Sequence, residues 1–270
     1  MNPYLSFVNK IKQDQEAART IAPDARVRNA ADSGDVVLLF SPHPDDECIT
    51  GLLPFRLMTQ LGCRVVNVPV TFGSETDRRA GRMNELKNAC DYLGWSIHRV
   101  RPDFQPLEVS DVVRVLDQVQ PEILFMPHSG DWNTRHVEVH FLVLEALKCM
   151  GDSFSCTVVE TEFWGAMDDP NLMVEGRPEM VAELVAATAL HEGEVARNPY
   201  HLMLPAWMQD NVRRGSELVG GQGTGAPAFT FATLYRVRKW NHGKFFQTLE
   251  NIQVPAADRP ELEQWKWKLL

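Results

Sequence analysis

Long apolar runs are missing from this chain. No stretch approaches the ~20 residues needed to cross a bilayer, so no transmembrane segment is expected. An excess of positive charge is missing too: 27 Lys and Arg face 36 Asp and Glu, for a formal net charge of −9. A nucleic-acid-binding surface needs a basic face, so nucleic acid is not expected as a partner. Cysteine is sparse, with five residues at positions 48, 63, 90, 149 and 156 and no CxxC pair. An odd number at wide spacing argues against a disulfide framework and for free, mostly buried thiols in a reducing cytoplasm. Cys48 directly follows the run His43-Pro44-Asp45-Asp46-Glu47, so it is weighed as a ligand. No Walker-type loop is present for nucleotides, and no internal repeat is found. Met1–Lys10 has no basic start followed by an apolar core, so a secretory signal is not expected.

What is present is an ordinary globular composition, 270 residues at 44% hydrophobic, enough to bury a sizeable core. The chain reads as one domain, 1–270, with a motif-bearing core over about 35–165 and a substrate-reading part over about 166–270. Residues 1–34 predict a helix and an irregular lead-in, with Phe7, Val8 and Ile11 as a partial apolar stripe and Pro23 at its end. Strands are expected at Val36–Phe40, Arg64–Thr71, Ile97–Arg101, Ile123–Met126 and Thr157–Thr161, and helices over roughly 47–61, 78–93, 108–119, 136–150 and 179–197. This alternation implies an α/β fold with a mostly parallel sheet and helices on both faces. Gly220–Pro227 reads as a connector or a substrate lid, Phe229–Val237 as a late strand, and Pro260–Leu270, with Trp265 and Trp267, as a segment packed on the body or on a partner.

The densest chemistry lies in Ser41-Pro42-His43-Pro44-Asp45-Asp46-Glu47, directly after the first apolar strand. The ends of strands in open α/β sheets are where ligands gather. His43 and Asp46, three residues apart where a helix starts, can reach one point, and an imidazole with a carboxylate suits a divalent ion, zinc first. Asp45 must project differently and can face a water at the metal. Two such close carboxylates repel, and a dication relieves the repulsion. A catalytic zinc takes three protein ligands, so a third must come from elsewhere. Pro127-His128-Ser129-Gly130-Asp131-Trp132-Asn133-Thr134-Arg135-His136 also follows a strand and opens a helix. His136 is the favoured ligand, His140 reads as a packed histidine, and His128 as a neighbour of the site or a substrate contact. Of the seven tryptophans, Trp132, beside the second motif, and after it Trp164 read as core or as sugar platforms.

At these residues the chain resembles the PIG-L/LmbE-like N-acetylglucosaminyl deacetylases. His43-Pro44-Asp45-Asp46-Glu47 after a strand looks like that family's metal motif. Asp131, Asn133 and His136 fall in the register of its second motif, and Thr71-Phe72-Gly73-Ser74-Glu75 is similar to its Thr-Arg-Gly-Glu-like loop. Arg82-Met83-Asn84-Glu85 resembles its Arg-x-x-Glu helix, and His191-Glu192-Gly193-Glu194 stands where many members have His-x-Ser-Gln. The resemblance covers about 35–150 well and the rest loosely. It implies a Rossmann-like three-layer α/β/α sandwich and a mononuclear zinc, ferrous iron also being compatible. It places His43, Asp46 and His136 on the metal. Asp45 is then the base that activates water and the acid that protonates the leaving amine.

Two departures stand out. Arg135 replaces the family's Asp before the second histidine, and Asn133 stands where some members carry a histidine that polarises the carbonyl. The expected activity is hydrolysis of an N-acetyl amino sugar, with Asn133 assisting at the oxyanion and Arg82, His128, Asp131 and Arg135 reading the substrate. Hydrolysis of another amide or ester on the same metal is the alternative, as is a non-catalytic relative, for which Arg135 is the best support. Homo-oligomerisation is left open.

Overall fold

The computed structural model describes residues 2–24, 26–29, 35–247 and 250–256. In chain order its elements are α1 (Leu5–Ala18), β1 (Val36–Ser41), α2 (Asp46–Ile49), α3 (Leu52–Leu61), β2 (Arg64–Pro69), α4 (Arg79–Leu93), β3 (Ser96–Ile97), α5 (Val109–Val119), β4 (Ile123–Pro127) and α6 (Thr134–Cys149). Then follow β5 (Cys156–Thr161), β6 (Leu172–Gly176), α7 (Pro178–Ala189), α8 (Glu192–Arg197), α9 (Leu204–Leu218), β7 (Phe231–Asn241), β8 (Lys244–Phe246) and β9 (Ile252–Val254). The strands form one sheet in the order β3-β2-β1-β4-β5-β7-β6-β9, with β8 paired to β7. Pairing is parallel from β3 through β5 and turns antiparallel where β7 meets β5 and β6. The expected mostly parallel α/β sheet is therefore the architecture found.

Period-two alternation in the buried strands builds the two flanking layers. Val37 and Leu39 of β1 point into a core with Leu52, Leu86 and Leu184 from α3, α4 and α7. Val36, Leu38 and Phe40 point the other way, into a core with Val112, Leu116, Val139 and Val143 from α5 and α6. Each such fully buried Leu or Val contributes on the order of 1.5–3 kcal/mol. Every residue of β1 and β4 is buried, as their central places require.

Chain order reverses at one point. β1 leads to β2 on one side, whereas β4 lies on the other side of β1. The crevice beyond the carboxyl ends of β1 and β4 is thus a topological switch point, where open α/β sheets bind ligands. Both motifs emerge there.

Several elements depart from the sequence reading. The helix expected over 47–61 is two helices, broken at Thr50-Gly51. A Cβ on Gly51 would lie 2.6 Å from the Glu47 carbonyl and 2.7 Å from Trp95, so close packing requires glycine there. The stop expected at Gly94 is found, in the left-handed conformation (φ 81°). The strand expected over Ile97–Arg101 shrinks to Ser96–Ile97 at the sheet edge. The helix expected over 179–197 breaks at Leu190-His191, and α9, β6, β8 and β9 add to the elements that the sequence pattern predicts. Helix α1 ends at Ala18 rather than at Pro23, and none of its side chains is buried. Gly220–Pro227 connects α9 to β7, held by Thr224 Oγ1 donating to the Ser216 carbonyl (2.6 Å), and it does not line the cavity described below. Pro260–Leu270 lies outside the described residues. Among the described residues no helix is long and apolar enough to cross a membrane.

Candidate metal and catalytic site

Strand β1 runs out at Ser41, and Pro42 and Pro44 stiffen the turn that follows. The turn brings the His43 backbone N–H to Asp46 Oδ2 (2.9 Å) and its Nδ1 to 3.3 Å from the same oxygen. From the neighbouring strand β4, the loop 128–133 delivers His136 on the first turn of α6. Its Nε2 lies 3.3 Å from Asp46 Oδ2. His43, Asp46 and His136 each offer one ligand atom, all within 4.8 Å of one another.

The donor set fits a divalent ion. Among the described residues His136 Nε2 is buried and has no hydrogen-bond partner, while Nδ1 faces Asp131 Oδ2 at 3.4 Å. A carboxylate behind a metal-binding imidazole fixes its tautomer and leaves the other nitrogen's lone pair for the ion. Burial alone would lower the proton affinity of His136, but Asp46 and Asp131 push its pKa up to about 10. Burial would raise Asp46, yet the two imidazoles outweigh it and hold the carboxyl well below the ordinary range. Without an ion, a proton on His136 thus balances the carboxylates where a cation would sit.

Asp45 does not join that cluster. Its backbone has φ 123°, a region that L-residues rarely adopt. Its N–H donates to Glu47 Oε2 (2.8 Å), and the Tyr200 hydroxyl donates to its Oδ2. Burial, then the adjacent Asp46 carboxylate, push its carboxyl up to about 7 from the ordinary 3.8, against the pull of His191, Tyr200 and Arg82. A buried carboxyl near neutrality beside a metal-ligand cluster has the proton affinity of a general base.

A cavity of about 350 Å³ opens over these groups. Asn133, Tyr200, Trp132 and Trp164 line it, with Arg78, Arg82 and Arg197. Trp132 is 68% exposed and stands edge-on to Trp164 at 6.0 Å, and Trp164 stands edge-on to Tyr200 at 5.9 Å. These rings form a continuous aromatic wall. Trp132 is therefore not a core residue. The three arginines share one buried carboxylate, Glu194, and Glu75 lines the same side of the cavity.

Among the residues expected to read the substrate, only Arg82 lines the cavity. Its Nη2 donates to the Pro44 carbonyl (3.0 Å). His128 is buried with both ring nitrogens on backbone: Nδ1 accepts from Gly130 N–H (3.3 Å), so Nε2–H donates to the Gly165 carbonyl (2.9 Å). Asp131 sits behind His136, and its Oδ1 accepts from Asn133 N–H (2.8 Å). Arg135 is on the exposed side of α6, paired with Glu138 one turn on. None of these three lines the cavity. Asn133 does reach the cavity, but its Oδ1 caps α6 by accepting from Arg135 N–H (3.1 Å), leaving only the Nδ2 hydrogens for a ligand. His140 is buried and hydrogen-bonded to the Pro127 carbonyl (2.9 Å), the packed histidine expected. Cys48 hydrogen-bonds Glu47 (3.2 Å), and burial, then that carboxylate, hold its thiol well above the ordinary range, so it does not offer a thiolate.

Sequence reasoning does not single out Tyr200 beside Asp45, and it names Glu47, His191 and Glu194 only within motif segments, without placing them around Asp45. His191–Glu194 shows in the sequence only as a weak family-like segment. Tyr200, in an irregular stretch after Pro199, gives no signal at all.

Comparison with known proteins fits this geometry. Residues 38–147 match the family model described as PIG-L: GlcNAc-PI de-N-acetylase, so the likeness read from the two motifs is shown over that segment. No curated protein matches the chain in sequence. N,N'-diacetylchitobiose deacetylase from Pyrococcus horikoshii is similar in structure at 15% identity, covering 90% of this chain and 94% of its own, with a TM-score of 0.57. GalB, the 4-carboxy-2-hydroxymuconate hydratase of Pseudomonas putida KT2440, is similar at 16% identity over 81% of this chain and 100% of its own (TM-score 0.59). The zinc-inhibited form of teicoplanin deacetylase Orf2 is similar at 16% over 76% and 98% (TM-score 0.52). At such identities these likenesses establish the fold.

Proposed function

We propose that the chain is a metal-dependent hydrolase that removes the acetyl group from an N-acetylglucosamine-type amino sugar or a conjugate of one. The supporting observation is the convergence of His43, Asp46 and His136 beside a separately held Asp45, within a PIG-L-type segment. The two imidazoles and one carboxylate would hold zinc, and ferrous iron suits the same donors. When bound, such an ion supplies Lewis acidity, which makes water acidic enough to react near neutral pH and polarises a carbonyl.

The chain's own groups do the rest. Asp45 takes a proton from the attacking water, and the same oxygen returns it to the amide nitrogen as the C–N bond breaks. Acetate and a free amine leave. A carboxyl at about 7 can serve in both directions. The Tyr200 hydroxyl orients that carboxylate, and the Asn133 Nδ2 hydrogens steady the acyl oxygen as it gains charge, a contribution worth ~3–4 kcal/mol in well-formed sites. Trp132 and Trp164 offer ring faces to a sugar. Arg78 and Arg197, both on the cavity lining, offer guanidinium donors to an anionic group on such a conjugate. The free thiols, four of the five buried, suit a reducing cytoplasm. The non-catalytic alternative loses its main support, because Arg135 lies outside the cavity.

Acetate release from metal-stripped protein, with zinc or ferrous iron added back, tests this on neutral and phosphorylated N-acetylglucosamine glycosides. Metal-dependent release, stronger on the anionic members, is expected. Hydrolysis of other amides or esters with none of the N-acetyl sugars would replace the acetyl-sugar reading.

A further inference from the structure

A second buried cluster, Glu47, Cys48 and His191, also brings three ligand-type atoms within 4.8 Å. Its atoms are already committed to one another. Glu47 Oε1 accepts from His191 Nε2 (2.8 Å) and from the Cys48 thiol (3.2 Å), while Oε2 accepts from the Asp45 N–H (2.8 Å). Glu47, Cys48 and His191 have no solvent exposure. The cluster is a hydrogen-bonded clamp, and it ends on Asp45.

The other side of the same peptide unit is clamped as well. The Pro44 carbonyl accepts from Arg82 Nη2 (3.0 Å). Arg82 in turn faces Glu194, whose Oε1 is 3.8 Å from Nε. The peptide that carries Asp45 into its φ 123° conformation is therefore gripped at the carbonyl by Arg82–Glu194 and at the N–H by Glu47–His191. The Tyr200 hydroxyl fixes the carboxylate at the far end. His191, Glu194 and Tyr200 all come from one short stretch, 191–200, outside the segment that matches the family model.

A backbone held at positive φ without glycine tends to relax unless its surroundings over-determine it. We infer that residues 191–200 act as a brace for the Pro44–Asp45 peptide, with His191 and Glu194 as positioning residues that work through Glu47 and Arg82. This rests on Asp45 being the base. Such bracing matters because misplacing a reacting group by about 1 Å can cost ~10²-fold in rate. Residues distant in sequence then decide whether the motif's carboxylate is aimed at the site or merely near it.

The test compares wild-type protein with His191→Leu, His191→Gln and Glu194→Gln. Crystal structures are read first, since they need no turnover. Asp45 is expected to leave the positive-φ region in His191→Leu and to keep it in His191→Gln, whose amide N–H can still reach Glu47. With a turned-over N-acetyl sugar, His191→Leu and Glu194→Gln should lower kcat on the order of 10–100-fold. KM and zinc content should stay within about twofold, and His191→Gln should restore most of the rate. Asp45 unmoved in both His191→Leu and Glu194→Gln would overturn the inference. So would a rate loss that follows zinc loss. If wild-type protein turns over no acetylated sugar, the proposed function fails separately, and the Asp45 backbone in the variants still decides this inference. Should His191→Leu not fold, the near-isosteric Glu194→Gln carries the same comparison.

Discussion

Asp45 should cost the metal-free protein stability, and removing its charge should return that stability. Its carboxyl is buried and pushed up to about 7, against an ordinary 3.8. Each tenfold change in proton affinity is worth about 1.4 kcal/mol, so ionised Asp45 costs about 4 kcal/mol of folding stability above pH 7. The sign follows from linkage. The folded state binds this proton more tightly than the unfolded chain, so stability is fullest below pH 3.8 and falls as pH rises through about 7. Asp45→Asn keeps the shape, still accepts from the Tyr200 hydroxyl and carries no charge. Urea melts of the metal-free proteins should find the variant more stable by about 4 kcal/mol at pH 8 and by only about 2 kcal/mol at pH 5. Zinc should narrow the difference, because a nearby dication favours the ionised carboxylate. A variant no more stable than wild type at pH 8, or a difference equal at both pH values, would refute the burial argument.

Three other outcomes follow from the geometry. Asp131→Asn removes the carboxylate behind His136 Nδ1 and should weaken zinc binding about 10–100-fold in competition with a chromophoric chelator; unchanged affinity would mean that Asp131 does not orient the ligand. Because His136 holds its proton up to about pH 10 without an ion, zinc binding at pH 8 should release about one proton from it, beyond any lost by water, measured calorimetrically in buffers of different ionisation enthalpy. Absence of proton release, with affinity flat from pH 7 to 9, would contradict that charge balance. Tyr200→Phe removes a hydrogen bond that favours ionised Asp45, so the acidic limb of the rate profile should move to higher pH by on the order of one unit; an unmoved limb would remove Tyr200 from the site.

Local pattern makes the sheet and half of the site legible. Val36–Phe40 and Ile123–Met126 are unbroken apolar runs because both faces of β1 and β4 are covered, and each is followed at once by its motif. The two motifs therefore bring His43, Asp46 and His136 to one point on sequence grounds alone. What eludes sequence reading depends on contacts between distant residues. Tyr200 meets Asp45 across 155 positions, and His191 meets Glu47 across 144, with no periodicity to announce either. Arg135 misleads for the opposite reason. Its neighbours in sequence are site residues, but one residue along a helix rotates a side chain by about 100°, and that turn takes Arg135 to solvent. The motif singles out Asp45 as the carboxylate apart from the ligands, yet its strained backbone and the clamp around it are visible only in three dimensions.

The most direct test of the account is one paired measurement on Asp45→Asn. Zinc content and acetate release would be followed together with a sugar that the wild-type protein deacetylates. Full zinc occupancy with release reduced by at least ~10²-fold is expected, since on this account His43, Asp46 and His136 would hold the ion without Asp45 and the base alone would be lost. Wild-type-like release from the zinc-loaded variant would contradict the assignment of Asp45 as the base and, with it, the division of the site into three ligands and one proton carrier.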